Sequence, residues 1–272
     1  MTTATPGASS AIGVIPDVMA ELQTTEAARI AWRVATVVQV HDETPRARTL
    51  VLDVPHWPRH RAGQHVDVRL VGEDGYQAQR SYSIASAPED AHVALTVERL
   101  DDAEVSPYLC DVLQVGDGLE LRGPIGGYFV WDFSQGGPLF LVAGGSGIVP
   151  LMAMLRHYAH ASAADRARVP VRLLYTARTW DDLIYRAELE QFAAHPNVRV
   201  TFTLTRSTPA GWTGYDRRID AAMLREVGWS AAEVPHVFVC GPTPLVESVA
   251  TLLVEAGHDP LLVRTERFGP TA

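Results

Sequence analysis

The chain has 272 residues, 47% of them hydrophobic and 20% charged, with a formal net charge of −9. That length suits two domains with separate cores, and the acidic balance argues against nucleic acid as the main partner, because phosphate backbones demand clustered cations. The 2 cysteines are too few for a disulfide framework, an iron–sulfur cluster or a zinc site, so no metal is expected and a reducing, cytoplasmic setting is.

In chain order, residues 1–30 read as a loose N-terminal arm with a short helix over 18–30. No Lys or Arg precedes Arg29, so the arm lacks the basic start of a secretory leader. No apolar run approaches the roughly 20 residues that span a bilayer. Runs rich in Val, Thr and Leu then predict strands over 34–40, 49–54, 65–70, 81–85 and 93–98. Gly, Pro and Asp clusters separate them, the pattern of an antiparallel barrel or sandwich. The alternation across 65–70 leaves one face wet. One helix, over 106–113, interrupts this half before Leu119-Glu120-Leu121 and a turn at Gly123-Pro124-Ile125-Gly126-Gly127.

Past Gly136-Gly137-Pro138 the character changes. Near-continuous apolar strands over 139–143, 171–175, 198–204 and 237–240 alternate with helices over 149–161, 182–194, 220–227 and 244–256. Strands apolar on both faces imply a parallel sheet covered on both sides. The expected division is an arm (1–30), an antiparallel β-barrel (31–135) and a parallel α/β domain with a C-terminal tail (136–272).

Three motifs carry chemistry. Arg80-Ser81-Tyr82-Ser83 offers a cation, a flat ring and a hydroxyl on one short extended segment. The planar fork of Arg80 suits a pyrophosphate, Tyr82 suits stacking on an isoalloxazine, and Ser83 suits a hydrogen bond to a ring nitrogen. Taken alone, a surface Arg beside a core Tyr is an equal alternative. Gly144-Gly145-Ser146-Gly147 sits where an apolar strand turns into a helix, so its backbone N–H groups can approach an anion, although the spacing is not GxGxxG. Cys240-Gly241-Pro242 ends a second apolar strand, which puts a thiol at the carboxyl edge where open α/β sheets bind ligands. A buried structural Cys is the alternative.

Arg80-x-Tyr82-Ser83, Gly123-Pro124, Gly144-Gly145-Ser146-Gly147-Ile148-x-Pro150 and Cys240-Gly241-Pro242, in this order across residues 32–268, resemble the ferredoxin–NADP reductase family. The resemblance implies an N-terminal FAD-binding barrel and a C-terminal nicotinamide-binding sheet. It implies that Arg80, Ser81, Tyr82 and Ser83 hold FAD, with Thr96, Val97 and Glu98 along its ribityl and adenosine side. Val105 and Ser106 would offer N–H groups to its pyrophosphate. Ser146 would touch both flavin and nicotinamide, and Cys240 would border nicotinamide C4. Thr265-Glu266-Arg267-Phe268 resembles the family's closing Glu-x-Tyr, so Glu266 would relay protons and Phe268 would cover the flavin. Phe268 departs from the pattern in lacking a hydroxyl, and Gly269 to Ala272 extend past the usual terminus.

Leu204-Thr205-Arg206 resembles the family's pair for the 2′-phosphate, and Ala177-Arg178 adds a cation. Together they favour NADPH over NADH. The expected reaction is hydride transfer from NAD(P)H to FAD with Ser83, Cys240 and Glu266 as catalytic groups. Single electrons then pass to a separate acceptor protein, such as a ferredoxin, a flavodoxin or a redox-enzyme component. A basic loop of His56, Arg59, His60 and Arg61 is the candidate dock for it. Two other readings stay open, an NAD(P)H:flavin reductase and a flavin-binding relay subunit of a larger redox complex.

Overall fold

Ten of the eleven strands fall where hydrophobic period or hairpin geometry requires them, and the computed structural model describes them within residues 31–269. The expected arm with its helix over 18–30 lies outside the described residues, as do residues 270–272. The first half forms β1 (Trp32–Thr44), β2 (Ala47–Asp53), β3 (His65–Val71), β4 (Gln77–Ser83), β5 (Val93–Glu98) and β6 (Gly118–Ile125). They make one antiparallel sheet in the order β4-β3-β6-β1-β2-β5. An Ile84–Leu95 bridge and a 2.7 Å bond from Ala85 N to Ala94 O join the two outer strands. The sheet thereby closes into a barrel.

Alternation fills that barrel. Val66 and Val68 of β3 point inward with Leu50, Leu52, Leu95, Val97, Leu119 and Leu121. The helical segment α1 (Val105–Pro107) continues as a π turn over Tyr108–Val112, and Val105, Leu109 and Cys110 plug the interior. Two sequence expectations shift here. The strand expected over 81–85 begins at Gln77 and ends at Ser83, because the β3–β4 hairpin pairs Val71 with Gln77 through its backbone whatever the side chains prefer. The helix expected over 106–113 is half π turn.

The second half forms β7 (Leu139–Gly144), β8 (Val171–Ala177), β9 (Val198–Leu204), β10 (His236–Pro242) and β11 (Val263–Phe268), parallel throughout in the order β11-β10-β7-β8-β9. Around them run α2 (Ile148–His160), α3 (Ala163–Arg168), α4 (Arg186–Ala193), α5 (Ala221–Val227) and α6 (Thr243–Glu255). Leu139, Leu141, Phe238 and Cys240 face one core with Leu151 and Leu155 of α2. Phe140, Val142, Val237 and Val239 face another with Met223, Val246 and Val249. Both faces are dry, as near-continuous apolar strands require.

β11 is the strand the sequence does not announce. Its Val-Arg-Thr-Glu-Arg-Phe run is too charged to read as core, but an edge strand needs only one backbone partner, and β10 supplies it. The chain leaves β7 toward β8 on one side and returns at β10 on the other, so the order reverses between β7 and β10. Ligands bind at such a switch point, outside the carboxyl ends of the strands.

The halves are stitched together. Arg156 of α2 donates to the Ala85 carbonyl of the barrel at 2.9 Å and to both Glu188 oxygens at 2.9 and 2.7 Å. Arg264 of β11 donates to the Val130 carbonyl at 2.8 Å.

Candidate functional site

A cavity of about 580 Å³ opens between the barrel wall and the switch point of the parallel sheet. The whole of Arg80, Ser81, Tyr82 and Ser83 lines it, from the end of β4. Arg80 is exposed, and among the described residues its guanidinium bonds its neighbour's carbonyl alone, which leaves most of its fork available. The Ser81 hydroxyl is committed to Asp67 at 2.6 Å. Tyr82 is half-buried, and burial pushes its phenol well above the usual range. Ser83 is buried, and its Oγ has no hydrogen-bond partner among the described residues.

β5 contributes by alternation. Thr96 and Glu98 line the cavity, whereas the Val97 side chain packs inside the barrel. The next segment behaves likewise. Ser106 reaches the cavity and accepts a bond from Leu100 N at 3.0 Å, while the Val105 side chain is barrel core. Val97 and Val105 therefore have only backbone to offer.

From the sheet side, β7 ends at Gly144 and a short 3-10 turn, Gly145–Gly147, leads into α2, with Ser146 on the cavity wall. Gly145 sits at φ +53°, a conformation glycine adopts freely. A Cβ on Gly147 would stand 2.2 Å from the Cys240 carbonyl, so this glycine lets the turn pack directly on the end of β10. Gly241 and Pro242 follow at the same edge. Cys240 itself does not line the cavity. It is fully buried, and burial, reinforced by the Glu266 charge, pushes its thiol well above the usual range.

β11 completes the wall with Glu266, Arg267 and Phe268. Burial raises the Glu266 carboxyl from 4.5 to about 7, and its Oε2 has no partner among the described residues. Two buried, unsatisfied polar atoms, Ser83 Oγ and Glu266 Oε2, thus belong to residues of one cavity. Such atoms are costly unless a ligand completes them. With the rings of Tyr82 and Phe268 and the cation of Arg80 on the same walls, the residues present fit a flavin dinucleotide.

Ala177, Arg178, Thr205 and Arg206 sit apart, at the ends of β8 and β9. Thr205 N and Arg206 N donate to the carbonyls of Ala177 and Arg178 at 3.0 and 2.9 Å, which sets the two exposed arginines side by side. Sequence reasoning missed His65, Leu100, Ala103, Val149, Arg267 and Gly269, which also line the cavity. His65 was within reach, since it is the register partner of Ser83 across the hairpin. Burial lowers its imidazole. Leu100 and Ala103 lie in an irregular link between β5 and α1 that carries no periodic signal.

Family models match both halves, the oxidoreductase FAD-binding domain over residues 34–130 and the oxidoreductase NAD-binding domain over 141–251. The chain is 37% identical over 213 residues to ferredoxin–NADP reductase B of Sorangium cellulosum, covering 76% of this chain and 84% of that one. The chain belongs to the ferredoxin–NADP reductase family. It is also 35% identical over 240 residues to the glycine betaine monooxygenase reductase subunit of Chromohalobacter salexigens. That match takes in 86% of this chain but spans only 63% of the relative's length. Among solved structures, the cytochrome P450 reductase GcoB of Amycolatopsis superposes with a TM-score of 0.74 at 26% identity, covering 89% of this chain and 71% of that one. A ferredoxin NADP+ reductase of Neisseria gonorrhoeae shares the fold, with a TM-score of 0.73 at 20% identity, covering 87% and 98%. The chain thus pairs an FAD-binding domain with an NAD-binding domain. Among the described residues, no helix is long and apolar enough to cross a membrane.

Proposed function

We propose that this chain is an FAD-dependent oxidoreductase that takes a hydride from NADPH, or from NADH less readily, and delivers single electrons to a separate acceptor protein. A ferredoxin or an oxygenase component is the class of acceptor, in keeping with relatives described as reductase subunits and ferredoxin–NADP reductases. The setting is cytoplasmic, and the domains run 31–135 and 136–272 after an arm over 1–30. One observation carries the reading: Ser83 Oγ and Glu266 Oε2, both buried and unsatisfied, come from opposite halves of the molecule to a single cavity.

Bound FAD supplies the redox chemistry, accepting a hydride and releasing electrons singly. The chain supplies the rest. Tyr82 and Phe268 offer flat faces that hold an aromatic ring and exclude water. Ser83 offers a hydroxyl at the floor of the cavity, and Arg80 a cation for pyrophosphate. The 3-10 turn through Ser146 presents backbone where the two halves meet. Glu266, poised near neutral, can hold or give up a proton at Oε2. Cys240, buried beside Glu266 on the neighbouring strand, packs behind the cavity and is no nucleophile. Arg178 and Arg206 would bind the 2′-phosphate.

The anaerobic visible spectrum of purified protein, before and after NADPH, tests the reading. A yellow protein bleached by NADPH supports it, and a colourless protein that takes up neither FAD nor FMN rejects it. Ser83→Ala should slow flavin reduction in stopped flow more than it weakens NADPH binding; an unchanged rate removes the role given to Ser83.

A further inference from the structure

Tyr76 closes the hairpin between β3 and β4. Its carbonyl accepts from Gly72 N at 2.8 Å, and β4 begins at the next residue. More than half of its surface is exposed, 58%. The ring is nonetheless held in place, because its hydroxyl donates between the two Glu104 oxygens at 3.2 and 3.1 Å. Glu104 precedes α1 and gives it no side-chain cap, so its carboxylate serves the tyrosine instead. An aromatic face that is both fixed and uncovered is a platform for stacking.

The strand fixes where this platform stands. Side chains two apart share a face, so Tyr76, Ala78, Arg80 and Tyr82 form one row, advancing about 6.6–6.8 Å per step. Tyr82 and Arg80 line the cavity, Ala78 is small and buried, and Tyr76 comes next past the Arg80 end. Glu104 raises the Tyr76 phenol and the Arg80 charge opposes the shift, so the guanidinium acts on the ring across the gap that Ala78 leaves.

A second wall comes from residues 100–104, which follow β5. Ala103 N donates to Leu100 O at 3.1 Å, and Leu100 N donates to Ser106 Oγ at 3.0 Å, so the segment folds into a turn against α1. Leu100, Ala103 and Ser106 all line the cavity, and Leu100 leaves 54% of its surface exposed. Glu104 closes this turn. Its bond to Tyr76 therefore ties the exposed ring to the rim of the cavity itself.

We propose that Tyr76 stacks on the adenine of FAD and so sets the choice of FAD over FMN, an inference that rests on the FAD reading above. The row on β4 offers a ring, a cation and a second ring, in the order in which the dinucleotide carries isoalloxazine, pyrophosphate and adenine. Adenine is a flat, neutral base, and an aromatic face recognises such a base without any hydrogen bond. Leu100 adds apolar contact from the turn. FMN ends at its single phosphate and has nothing to place on Tyr76. The ring therefore acts on flavin affinity, away from the reacting end of the cavity.

The test titrates cofactor-free protein with FAD and, separately, with FMN, following flavin fluorescence. Wild type should bind FAD more tightly than FMN by roughly tenfold or more, and Tyr76→Ala should weaken FAD on the order of tenfold to a hundredfold. FMN binding to that variant should change by less than about twofold, and Tyr76→Phe, which keeps the ring, should hold FAD within about threefold of wild type. Unchanged FAD affinity in Tyr76→Ala overturns the inference, because adenine then rests elsewhere. Equal losses for FAD and FMN assign Tyr76 to the support of the barrel and also overturn it. A Tyr76→Phe protein as weak as Tyr76→Ala assigns the effect to the bond with Glu104 and does the same. Wild type that binds FMN as tightly as FAD removes the adenine site and leaves the flavin reading standing. Wild type that binds neither rejects that reading, which separates the two failures.

Discussion

Cys240 on β10 and Glu266 on β11 are register partners on adjacent parallel strands, one fully buried and the other on the cavity wall. Burial raises both groups, and the carboxylate's charge adds to the shift of the thiol. The pair therefore favours neutral side chains at and behind the cavity wall.

A thiol in that state reacts slowly. Cys110 is also buried, with its thiol pushed up to about 11. Folded protein at pH 8 should release almost no thionitrobenzoate from Ellman's reagent within minutes, and protein in urea should release two equivalents for the 2 cysteines. Fast labelling of Cys240 in the native state would contradict its burial.

Glu266 sets a pH dependence. Its carboxyl loses the proton near 7 in the fold and near 4.5 in the unfolded chain. Between those values the native state keeps a proton that the unfolded state has lost, so stability falls as pH rises from 4.5 to about 7 and stays lower above. The shift corresponds to on the order of 3 kcal/mol. Glu266→Gln keeps the shape and removes the ionisation. Urea titrations of cofactor-free protein should show Glu266→Gln more stable than wild type at pH 8 and nearly equal at pH 4.5. Parallel pH profiles would refute the assignment.

Arg178 and Arg206 should govern the choice of nicotinamide. A charge-assisted bond from an arginine to a 2′-phosphate would be worth about 1.5–3 kcal/mol. The double change to Glu should raise KM for NADPH by roughly tenfold to a hundredfold or more, with KM for NADH moving little. Equal effects on both cofactors would place the 2′-phosphate elsewhere.

Arg156 ties the halves through two bonds to Glu188 and one to Ala85 O, with about a fifth of its side chain exposed, 21%. Arg156→Met leaves Glu188 without its partner and should cost about 2–4 kcal/mol in urea unfolding. A change below about 0.5 kcal/mol, typical of surface substitutions, would show that this contact does not hold the halves together.

The basic loop is smaller than its sequence suggests. His60 is buried, pinned by Ser86 O at 3.1 Å and by Trp57 Nε1 at 3.3 Å, and burial lowers its imidazole. Arg59 and Arg61 remain exposed. If an acidic acceptor docks there, Arg59→Glu with Arg61→Glu should slow its reduction several-fold at low salt and little at high salt. Salt-independent equal rates would move the dock to another face.

Most of the fold was legible because burial writes a period into the sequence. Leu139 to Ala143 reads as a covered parallel strand, and Val66 and Val68 as the inner face of a barrel. Where the backbone alone decides, the signal fails. Gln77 to Arg80 joins a strand because a hairpin register carries it there, and Val263 to Phe268 because β10 offers an edge. The site divides in the same way. Arg80 to Ser83 and the Gly144–Gly147 turn announce themselves by residue type. His65 enters only through its pairing with Ser83, and the inward side chains of Val97 and Val105 are settled by the phase of their elements.

By itself the sequence determined which groups are available: a cation, rings, hydroxyls and a glycine turn, on elements whose hydrophobic period sets their class. Only the tertiary structure decided that Ser83 Oγ and Glu266 Oε2 have no hydrogen-bond partner among the described residues, that Cys240 is sealed away from the cavity, and that Thr96 meets both Thr49 within the barrel and Tyr185 from the other half. Those properties depend on desolvation and on hydrogen bonds between residues distant in the chain. No local pattern encodes either one.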